Sequence, residues 1–391
     1  MPASSATKAS LRARKWSMAG AMTQDLPLDL FLISIPGLES ALRDEAVERG
    51  FDDAAVVPGG VTFRGTWEDA WRANLVLRGA TRVLARIGGF PVFHLAQLDK
   101  RARKLPWGDV LRSDRPVKVE AVCRKSKVYH AGAARQRIET AIAEELGAPV
   151  TRDAGITVKA RIDKDFCTFS VDLSGEALHR RGYKQAVGKA PLRETMAAMF
   201  LRMCGFSGDE PVLDPMCGSG SFVIEAAEIA TGRASGRARR FAFEDLATFD
   251  ATRWQALKES QTLRDCDLLF HGADRNAGAI ENALRNAECA GVTGVTRFAV
   301  QSVSDMRRPD GPPGLIMVNP PYGTRIGDRN ALRALYGTFG KTVTERFSGW
   351  RVGLVTSDAG LARSTGLRFL PPGPLIDHGG VKVRLYRTET L

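Results

Sequence analysis

The stretch Asn-Pro-Pro-Tyr-Gly follows directly on four apolar residues, 315–318. This apolar run is short and bounded by turn formers, which is typical of an inner strand of a parallel sheet. Pro320 and Pro321 have no backbone N–H, so a β-ladder must stop there. Ligands bind at the carboxyl ends of strands in open α/β sheets. We therefore take Asn319, Pro320 and Tyr322 as candidate catalytic residues, with a proline-rich strand exit as the alternative.

A second motif, LDPMCGSGSFVIEAA, reads as a strand, a glycine turn and a helix. Gly218 and Gly220 permit a tight turn and a close approach of a ligand to the backbone. Ser221 is expected to cap the helix, whose N–H groups and dipole favour an anion. A phosphate loop would need a lysine and a dinucleotide site a third glycine, and both are missing. S-adenosylmethionine, a nucleoside carrying an amino-acid carboxylate, fits better.

Carboxylates follow the next two predicted strands. Asp274 comes after the sequence LLFHGA and is expected either to cap the following helix or to accept both ribose hydroxyls of a nucleoside. Asp305 follows the next strand and is either an acceptor for an adenine amino group or an ordinary surface acid. A glycine turn with a strand-end carboxylate is a stronger signal for a nucleoside site than either feature alone.

The composition is that of a globular protein, with 391 residues, 44% hydrophobic and 26% charged, and it suggests two or three domains. No apolar run approaches the roughly 20 residues of a membrane span. The six cysteines form no CxxC pair and no Cys/His cluster, which predicts no metal site and favours a cytoplasmic location. Residues 1–25 are expected to form a disordered basic tail.

The positive charge is concentrated in one stretch. The formal net charge is +12, and residues 72–140 hold sixteen Lys/Arg against five Asp/Glu. An excess of +11 in one block favours a nucleic-acid site over a merely solvated surface. The candidate RNA contacts are Arg124, Lys125, Lys127, Arg135 and Arg137.

The secondary-structure pattern changes near residue 190. Before it, mixed patterns predict strand, helix and strand over 28–65, a helix over 67–87, a strand over 117–123, a helix over 133–147 and a hairpin over 155–175. Beyond it, apolar strands alternate with amphipathic helices, which is typical of a doubly wound sheet. Its strands are expected at 211–214, 267–272, 296–300, 314–319 and 351–356, with a hairpin within 367–388.

Together these motifs resemble class I S-adenosylmethionine-dependent methyltransferases of the THUMP-containing RNA group, and most closely the bacterial 23S rRNA guanine-N2 methyltransferase family. The resemblance covers about residues 28–388, and the glycine and NPPY motifs are its most specific parts. The stretches LDLFLISIPGLESALRDEAVERGF and PGGVTFRGTWEDAWRANLVLRGATRVLARI are similar to that family's ferredoxin-like unit, which runs into the THUMP module. LHRRGYKQAVGKAPLRETMAAMFL, residues 178–201 and here termed the lead-in segment, is similar to its motif before the sheet.

The resemblance implies a Rossmann-like α/β domain with a seven-stranded sheet, preceded by an α+β ferredoxin-like/THUMP half. The implied bounds are 26–70 for the ferredoxin-like part, 71–178 for the RNA-binding THUMP-like domain and 179–391 for the methyltransferase domain. It implies S-adenosylmethionine as the cofactor and no metal. The residues expected to bind the cofactor are Asp214, Cys217, Gly218, Ser219, Gly220, Asp274, Asp305, Pro191, Arg193 and Glu194.

An exocyclic base amine suits the NPPY loop as methyl acceptor. Its lone pair is conjugated with the ring, so two acceptors, the Asn319 side chain and the Pro320 carbonyl, would each take one N–H and localise it. Tyr322 would offer a ring on which an extruded base can stack. Positioning would supply most of the catalysis.

Several alternatives stay open from the sequence. Guanine N2 of 23S rRNA is the leading target, with tRNA guanine N2 and adenine N6 of DNA or RNA behind it. A catalytically silent RNA-binding factor or an NAD-type oxidoreductase fits the motifs less well. The large fused members of the family carry a second methyltransferase domain, and none is expected here after Leu391, so the modified nucleotide stays open. The oligomeric state and the choice between naked RNA and a ribosomal particle also stay open. No membrane partner is expected.

Overall fold

The computed structural model describes residues 27–185, 192–322 and 329–391. The basic tail predicted for residues 1–25 lies outside them. The described chain forms two compact units. The smaller unit comprises residues 86–172 with 245–248, and the larger unit comprises residues 27–85, 173–244 and 249–391.

The N-terminal part of the larger unit is a small antiparallel sheet with two helices. Its elements are β1 (Leu28–Ile33), α1 (Glu39–Glu48), β2 (Ala55–Val57), β3 (Gly60–Gly65) and α2 (Trp67–Val76). Strand β3 pairs with both β1 and β2, so the predicted strand, helix and strand are confirmed, with one short strand added. Thr66 is the N-cap of α2 and forms a capping box with Asp69.

The helix predicted over residues 67–87 is wrong in its second half. The α-helix ends at Val76, and β4 (Arg82–Pro91) begins in the larger unit and continues into the smaller one. Distant contacts set this boundary. The Glu45 carboxylate accepts the N–H of Arg78 at 2.7 Å and that of Gly79 at 2.9 Å. A Cβ at Gly79 would lie 2.4 Å from the sulfur of Met199, so any larger residue there would have to displace this side chain.

The smaller unit combines helices with paired strands in the order β4-β7-β6-β5. Its further elements are α3 (Leu95–Ala102), β5 (Val117–Arg124), α4 (Ala131–Leu146), β6 (Ile156–Asp163) and β7 (Phe166–Asp172). Strand β6 lies between β7, to which it is antiparallel, and β5, to which it is parallel. The strand, helix and hairpin predicted for this part are confirmed. Helix α4 ends at Gly147, which has a φ of 76°.

The rest of the larger unit is a doubly wound α/β sheet. Its elements are α5 (Glu194–Met203), β8 (Val212–Asp214), α6 (Ser221–Ala230), α7 (Ala251–Glu259), β9 (Phe270–Asp274), α8 (Ala277–Ala290), β10 (Thr296–Val300), β11 (Leu315–Val318), α9 (Arg329–Arg346), β12 (Arg351–Thr356), α10 (Ala359–Ser364), β13 (Ile376–His378) and β14 (Val381–Arg387). Each predicted strand is confirmed within a few residues.

The strand order of this sheet is β10-β9-β8-β11-β12-β14-β13. The first five strands in that order are parallel, and β14 is antiparallel to both β12 and β13. The chain winds from β8 outward through β9 to β10, and then returns to β11 on the other side of β8. The carboxyl ends of β8 and β11 therefore meet at the point where the winding reverses, where such sheets bind ligands. The predicted seven-stranded Rossmann-like sheet is confirmed.

Two general features concern the described residues only. None of their helices is both long enough and apolar enough to span a bilayer. They contain no group of three or more His, Cys, Asp or Glu side chains arranged to hold a metal ion, and their six cysteines are free.

Candidate active site

The turn between β8 and α6 is held by one backbone hydrogen bond to β9 and by another within the turn. The Cys217 N–H donates to the Ala273 carbonyl at 2.9 Å, and the Gly220 N–H donates to the Cys217 carbonyl at 2.8 Å. Gly218 and Gly220 have φ values of 52° and 85°, in the left-handed region that favours glycine. The turn is thus rigid and keeps its backbone close to the end of β9. Burial raises the pKa of the Cys217 thiol, which stays protonated.

Ser221 does not cap α6, so that expectation is wrong. The N-cap position is Gly220, and Ser221 is the first residue of the helix. Its hydroxyl lies 3.3 Å from the Leu192 carbonyl and 2.6 Å from the Lys184 ammonium, which donates to it. Lys184 also donates to the Leu192 carbonyl at 2.6 Å. These bonds attach the lead-in segment to the first turn of α6.

Asp274 is the last residue of β9, and its carboxylate faces the glycine turn. One carboxylate oxygen accepts the Gly218 N–H at 3.1 Å, and the other accepts the Asn276 N–H at 2.9 Å. The N-cap of α8 is Asn276, so the helix-capping alternative for Asp274 is wrong. Because each carboxylate oxygen has two lone pairs, the half-buried Asp274 can still accept a hydrogen bond on each.

Asp214 and Ser219 make further hydrogen bonds that hold the glycine turn in place. Asp214 is 3% exposed, and its carboxylate accepts the Met216 N–H at 3.1 Å. Burial raises the pKa of this carboxyl well above its ordinary value. The Ser219 carbonyl accepts a hydrogen bond of 3.1 Å from the buried side chain of Asn286 on α8. Asn286 was not predicted, because an asparagine in an amphipathic helix carries no sign of burial in the sequence.

Of the other predicted cofactor residues, Asp305 lies after β10, whereas Arg193 and Glu194 lie at the start of α5. Asp305 ends a 3₁₀ turn after β10, is exposed, and accepts the Ser302 hydroxyl at 2.7 Å. Arg193 is exposed and occupies the N-cap position of α5. Glu194 is buried 3.9 Å from the Lys184 ammonium, and its burial raises the pKa of the carboxyl. Pro191 lies outside the described residues.

Asn319 follows β11 at the reversal point of the sheet. Leu315 and Ile316 of β11 pair with Val212 and Leu213 of β8, so this strand end is next to the glycine turn. The side-chain oxygen of Asn319 is buried and has no hydrogen-bond partner among the described residues. Such an atom is unusual, because buried polar groups are nearly always paired. The orphaned oxygen is therefore suited to a donor that arrives with a substrate.

Tyr322 is anchored at both ends of its side chain. The ring packs against the buried cluster that includes Ile316, Val318 and Tyr336. Its hydroxyl lies 2.8 Å from Nδ1 of His378 on β13. Burial raises the pKa of Tyr322 to about 12, so the phenol is neutral at physiological pH. His378 was not predicted, since only the return of the chain through β13 brings it here.

A buried ionic cluster supports α6 behind the turn. Glu225, which is 0% exposed, accepts Arg78 at 2.8 Å and Arg181 at 3.0 Å on its two carboxylate oxygens. Glu228, one turn further along, contacts Arg78 at 3.1 Å and Arg237 at 2.6 Å. This cluster was not predicted, because Arg78 lies 147 and 150 positions before the two glutamates along the chain.

The five predicted RNA contacts all lie on the surface of the smaller unit. Arg124 ends β5, and Lys125 and Lys127 follow it in the loop before α4. Arg135 and Arg137 are exposed on α4, where Arg135 pairs with Glu139 at 3.4 Å.

Two family models match the chain. Residues 181–368 match the model described as RMKL-like, methyltransferase domain, and residues 29–84 match the RlmL ferredoxin-like domain. The first match contains the glycine turn, Asp274, Asp305 and Asn319. The second coincides with the small antiparallel sheet at the start of the larger unit.

Known proteins resemble the chain over most of its length. It is 34% identical over 356 residues to the ribosomal RNA large subunit methyltransferase K/L of Psychromonas ingrahamii, covering 87% of this chain. The chain spans about half of the curated relatives it matches, 47% in that case. The structure of SMU.472 complexed with SAH superimposes with a TM-score of 0.85 at 27% identity, covering 94% of this chain and 99% of that one. The structure of a predicted N6-adenine-specific DNA methylase from Listeria monocytogenes superimposes with a TM-score of 0.83 at 30% identity. The match covers 94% of this chain and 97% of that one.

Proposed function

Because the chain belongs to the RMKL-like methyltransferase family, we propose that it is an S-adenosylmethionine-dependent RNA methyltransferase that modifies an exocyclic base amine. The proposed target is guanine N2 of 23S rRNA, as free RNA or within a pre-ribosomal particle, in the cytoplasm. The relatives' name supports the choice of rRNA. The observation that carries the choice of an amine is the orphaned Asn319 oxygen.

An amino N–H is the donor that this oxygen lacks. A buried amide acceptor without a partner costs about 1–3 kcal/mol, so the site gains free energy when a donor binds there. The Pro320 carbonyl follows on a loop stiffened by two prolines and would accept the second N–H. Two acceptors match an amino group, whereas a ring nitrogen without hydrogens or a ribose hydroxyl would leave at least one idle.

The residues around the glycine turn fit the cofactor. S-adenosylmethionine supplies the methyl group when bound. Asp274 would accept the ribose hydroxyls on the lone pairs that the N–H groups of Gly218 and Asn276 leave free. The adenine side would lie towards Asp305. The lead-in segment, bonded to α6 through Lys184, would lie beside the methionine end.

We expect Asp274→Ala to weaken S-adenosylmethionine binding by about tenfold to a hundredfold, because a hydrogen bond to a charged group is worth about 1.5–3 kcal/mol. Isothermal titration calorimetry on the folded variant measures this loss. Asp274→Asn is the matched control: it keeps one acceptor and should lose less. Unchanged affinity in Asp274→Ala would contradict the assignment of this carboxylate to the ribose.

We expect Tyr322→Ala to weaken RNA binding in the reactive complex by roughly 1–3 kcal/mol, the worth of one base–aromatic stack. Tyr322→Phe should have a mild effect, because it keeps the ring and its packing and loses only the bond to His378. Steady-state kinetics with rRNA separate the effect on KM for RNA from that on cofactor binding. A loss in Tyr322→Phe as large as in Tyr322→Ala would show that the hydroxyl matters and the ring face does not.

The test of the proposed function is mass spectrometry of nucleosides. Ribosomal and transfer RNA from cells with and without the gene are digested, and the purified enzyme is then used to restore the missing nucleoside. N2-methylguanosine in 23S rRNA is the expected product, and the same nucleoside in tRNA would change the substrate. N6-methyladenosine would keep the amine chemistry and change the base, an alternative supported by the name of the Listeria relative. A product methylated at carbon, ribose or a ring nitrogen would overturn the proposal.

A further inference from the structure

Three loops meet at one end of the smaller unit, here termed the loop end: residues 92–94, 124–130 and 163–165. The Val92 N–H donates to the Asp165 carbonyl at 2.8 Å, and the Lys164 N–H donates to the Arg124 carbonyl at 3.2 Å. The Asp165 carboxylate accepts the Lys127 N–H at 2.7 Å. These bonds hold the three loops in one fixed arrangement.

The loop end contains all the non-glycine residues with a positive φ in the described chain: Lys125 at 47°, Lys164 at 52° and Asp165 at 61°. The last two form the two-residue turn between β6 and β7, which requires positive φ but is most easily made with Asn-Gly. Lys125 is in no such turn. Left-handed backbone costs about 1–2 kcal/mol per residue, and strained residues cluster at functional sites.

Tyr129 projects from this end. It is 82% exposed, more than any other large apolar or aromatic side chain of the described residues. Its neighbours are fixed: Val128 is buried, and the His130 ring caps α4 by accepting the Ala133 N–H at 3.0 Å. The backbone thus holds the Tyr129 ring in solvent and does not leave it on a loose loop.

A second ring and several cations accompany Tyr129. Phe93 is 46% exposed, and the Lys127 ammonium lies 5.1 Å from its ring centroid. Arg124 and Lys125 are exposed in the same loop. Of the nearby acids, Asp163 pairs with Arg161 at 2.9 Å, and Asp165 is used within the loop end. Exposed rings among cations match single-stranded nucleic acid, which offers base faces and phosphates together.

We propose that Tyr129 is a stacking platform for an unpaired RNA base, with the adjoining phosphates bound by Lys125 and Lys127. This inference rests on the proposed function, because it assumes an RNA substrate. A duplex would not use the platform, since its base faces are already stacked. An acidic or apolar protein partner would not need both the rings and this charge.

Full-length Tyr129→Ala tests the proposal by fluorescence anisotropy with a labelled single-stranded rRNA oligonucleotide and with its duplex. The variant should bind the single strand about tenfold or more weakly, the scale of losing one base–aromatic stack, and bind the duplex as the wild type does. The slope of log affinity against log salt should not change, because no charge is lost. Tyr129→Phe should bind the single strand as the wild type does, because it keeps the aromatic ring. Lys127→Gln should instead reduce the slope by about 0.7, the value for one phosphate contact of a single strand.

Leu263→Ala is the matched control, since Leu263 is 59% exposed in the larger unit and should change nothing. Thermal unfolding should match the wild type for all variants. Unchanged single-strand affinity in Tyr129→Ala, or an equal loss on the duplex, would overturn the platform while leaving rRNA methylation intact. If the wild type neither binds nor methylates rRNA, the proposed function fails and this inference fails with it.

Discussion

Glu225→Gln should lower the free energy of unfolding of the larger unit by about 3–5 kcal/mol. The substitution keeps the shape of the side chain but removes the negative charge that faces Arg78 and Arg181. Both guanidinium groups are almost fully buried, at 4% and 1% side-chain exposure, so water cannot replace the lost carboxylate. Removing one member of a buried ionic cluster leaves uncompensated charge, which is why the expected cost exceeds that of any surface pair. Urea titration monitored by circular dichroism measures it.

The matched control is Glu345→Gln on α9, whose carboxylate is 54% exposed and lies 3.9 Å from the Lys341 ammonium. An exposed pair of this kind contributes about 0–1 kcal/mol, so the control should barely change stability. Equal effects of the two substitutions would show that the buried cluster does not stabilise the unit.

The same buried ionic cluster makes the stability of the larger unit depend on pH. Burial alone would raise the pKa of Glu225, but the charges and hydrogen bonds of Arg181 and Arg78 outweigh it and hold the pKa below the ordinary value. A group whose pKa is lowered by folding stabilises the folded state above its unfolded pKa. The contribution of Glu225 is therefore present at neutral pH and is lost as the pH falls through the lowered value. Glu225→Gln should remove this part of the acid sensitivity.

Local signals explain what the sequence predicted well. The glycine turn, the strand that ends in two prolines and the carboxylate after β9 each depend on a few consecutive residues. Parallel pairing then brings the strand ends to one edge, so the meeting of Asp274 and Asn319 with the turn follows from topology. The strand β11 was located within one residue, because prolines end a ladder wherever they occur.

Distant contacts explain what the sequence missed. The region after Val76 has a helical pattern, yet the N–H groups of Arg78 and Gly79 donate to Glu45, which lies more than 30 positions away in sequence. His378 reaches Tyr322 from 56 positions away. The exposure of Tyr129 also depends on the fold, because its neighbour Val128 is buried while its own ring is not. Local motifs thus identify the candidate site in the sequence, whereas the residues that contact it from elsewhere in the chain become visible only in the structure.

Asn319→Ala should slow methyl transfer to rRNA by about 10²- to 10³-fold, the scale of losing one preorganised polar contact in a transition state. The Asn319 oxygen is buried and has no partner among the described residues, so no hydrogen bond to it has to break when the amine binds. Its removal relieves the cost of an unpaired acceptor in the free enzyme, so stability should stay the same or rise. A gain or no change in stability together with a large loss of rate is the signature of a catalytic acceptor.

Single-turnover transfer with saturating cofactor isolates the chemical step, and calorimetry should show that Asn319→Ala binds S-adenosylmethionine as the wild type does. Asn319→Asp is the informative second variant. It keeps an acceptor in the same place, and an ionised carboxylate accepts on both oxygens, whereas a protonated one can turn its O–H towards the amine. Part of the rate should therefore return, and more of it as the pH rises. Asn319→Leu, which fills the space without an acceptor, should be as slow as alanine. A fast leucine variant would show that the side chain serves only packing, and the amine assignment would then lose its main support.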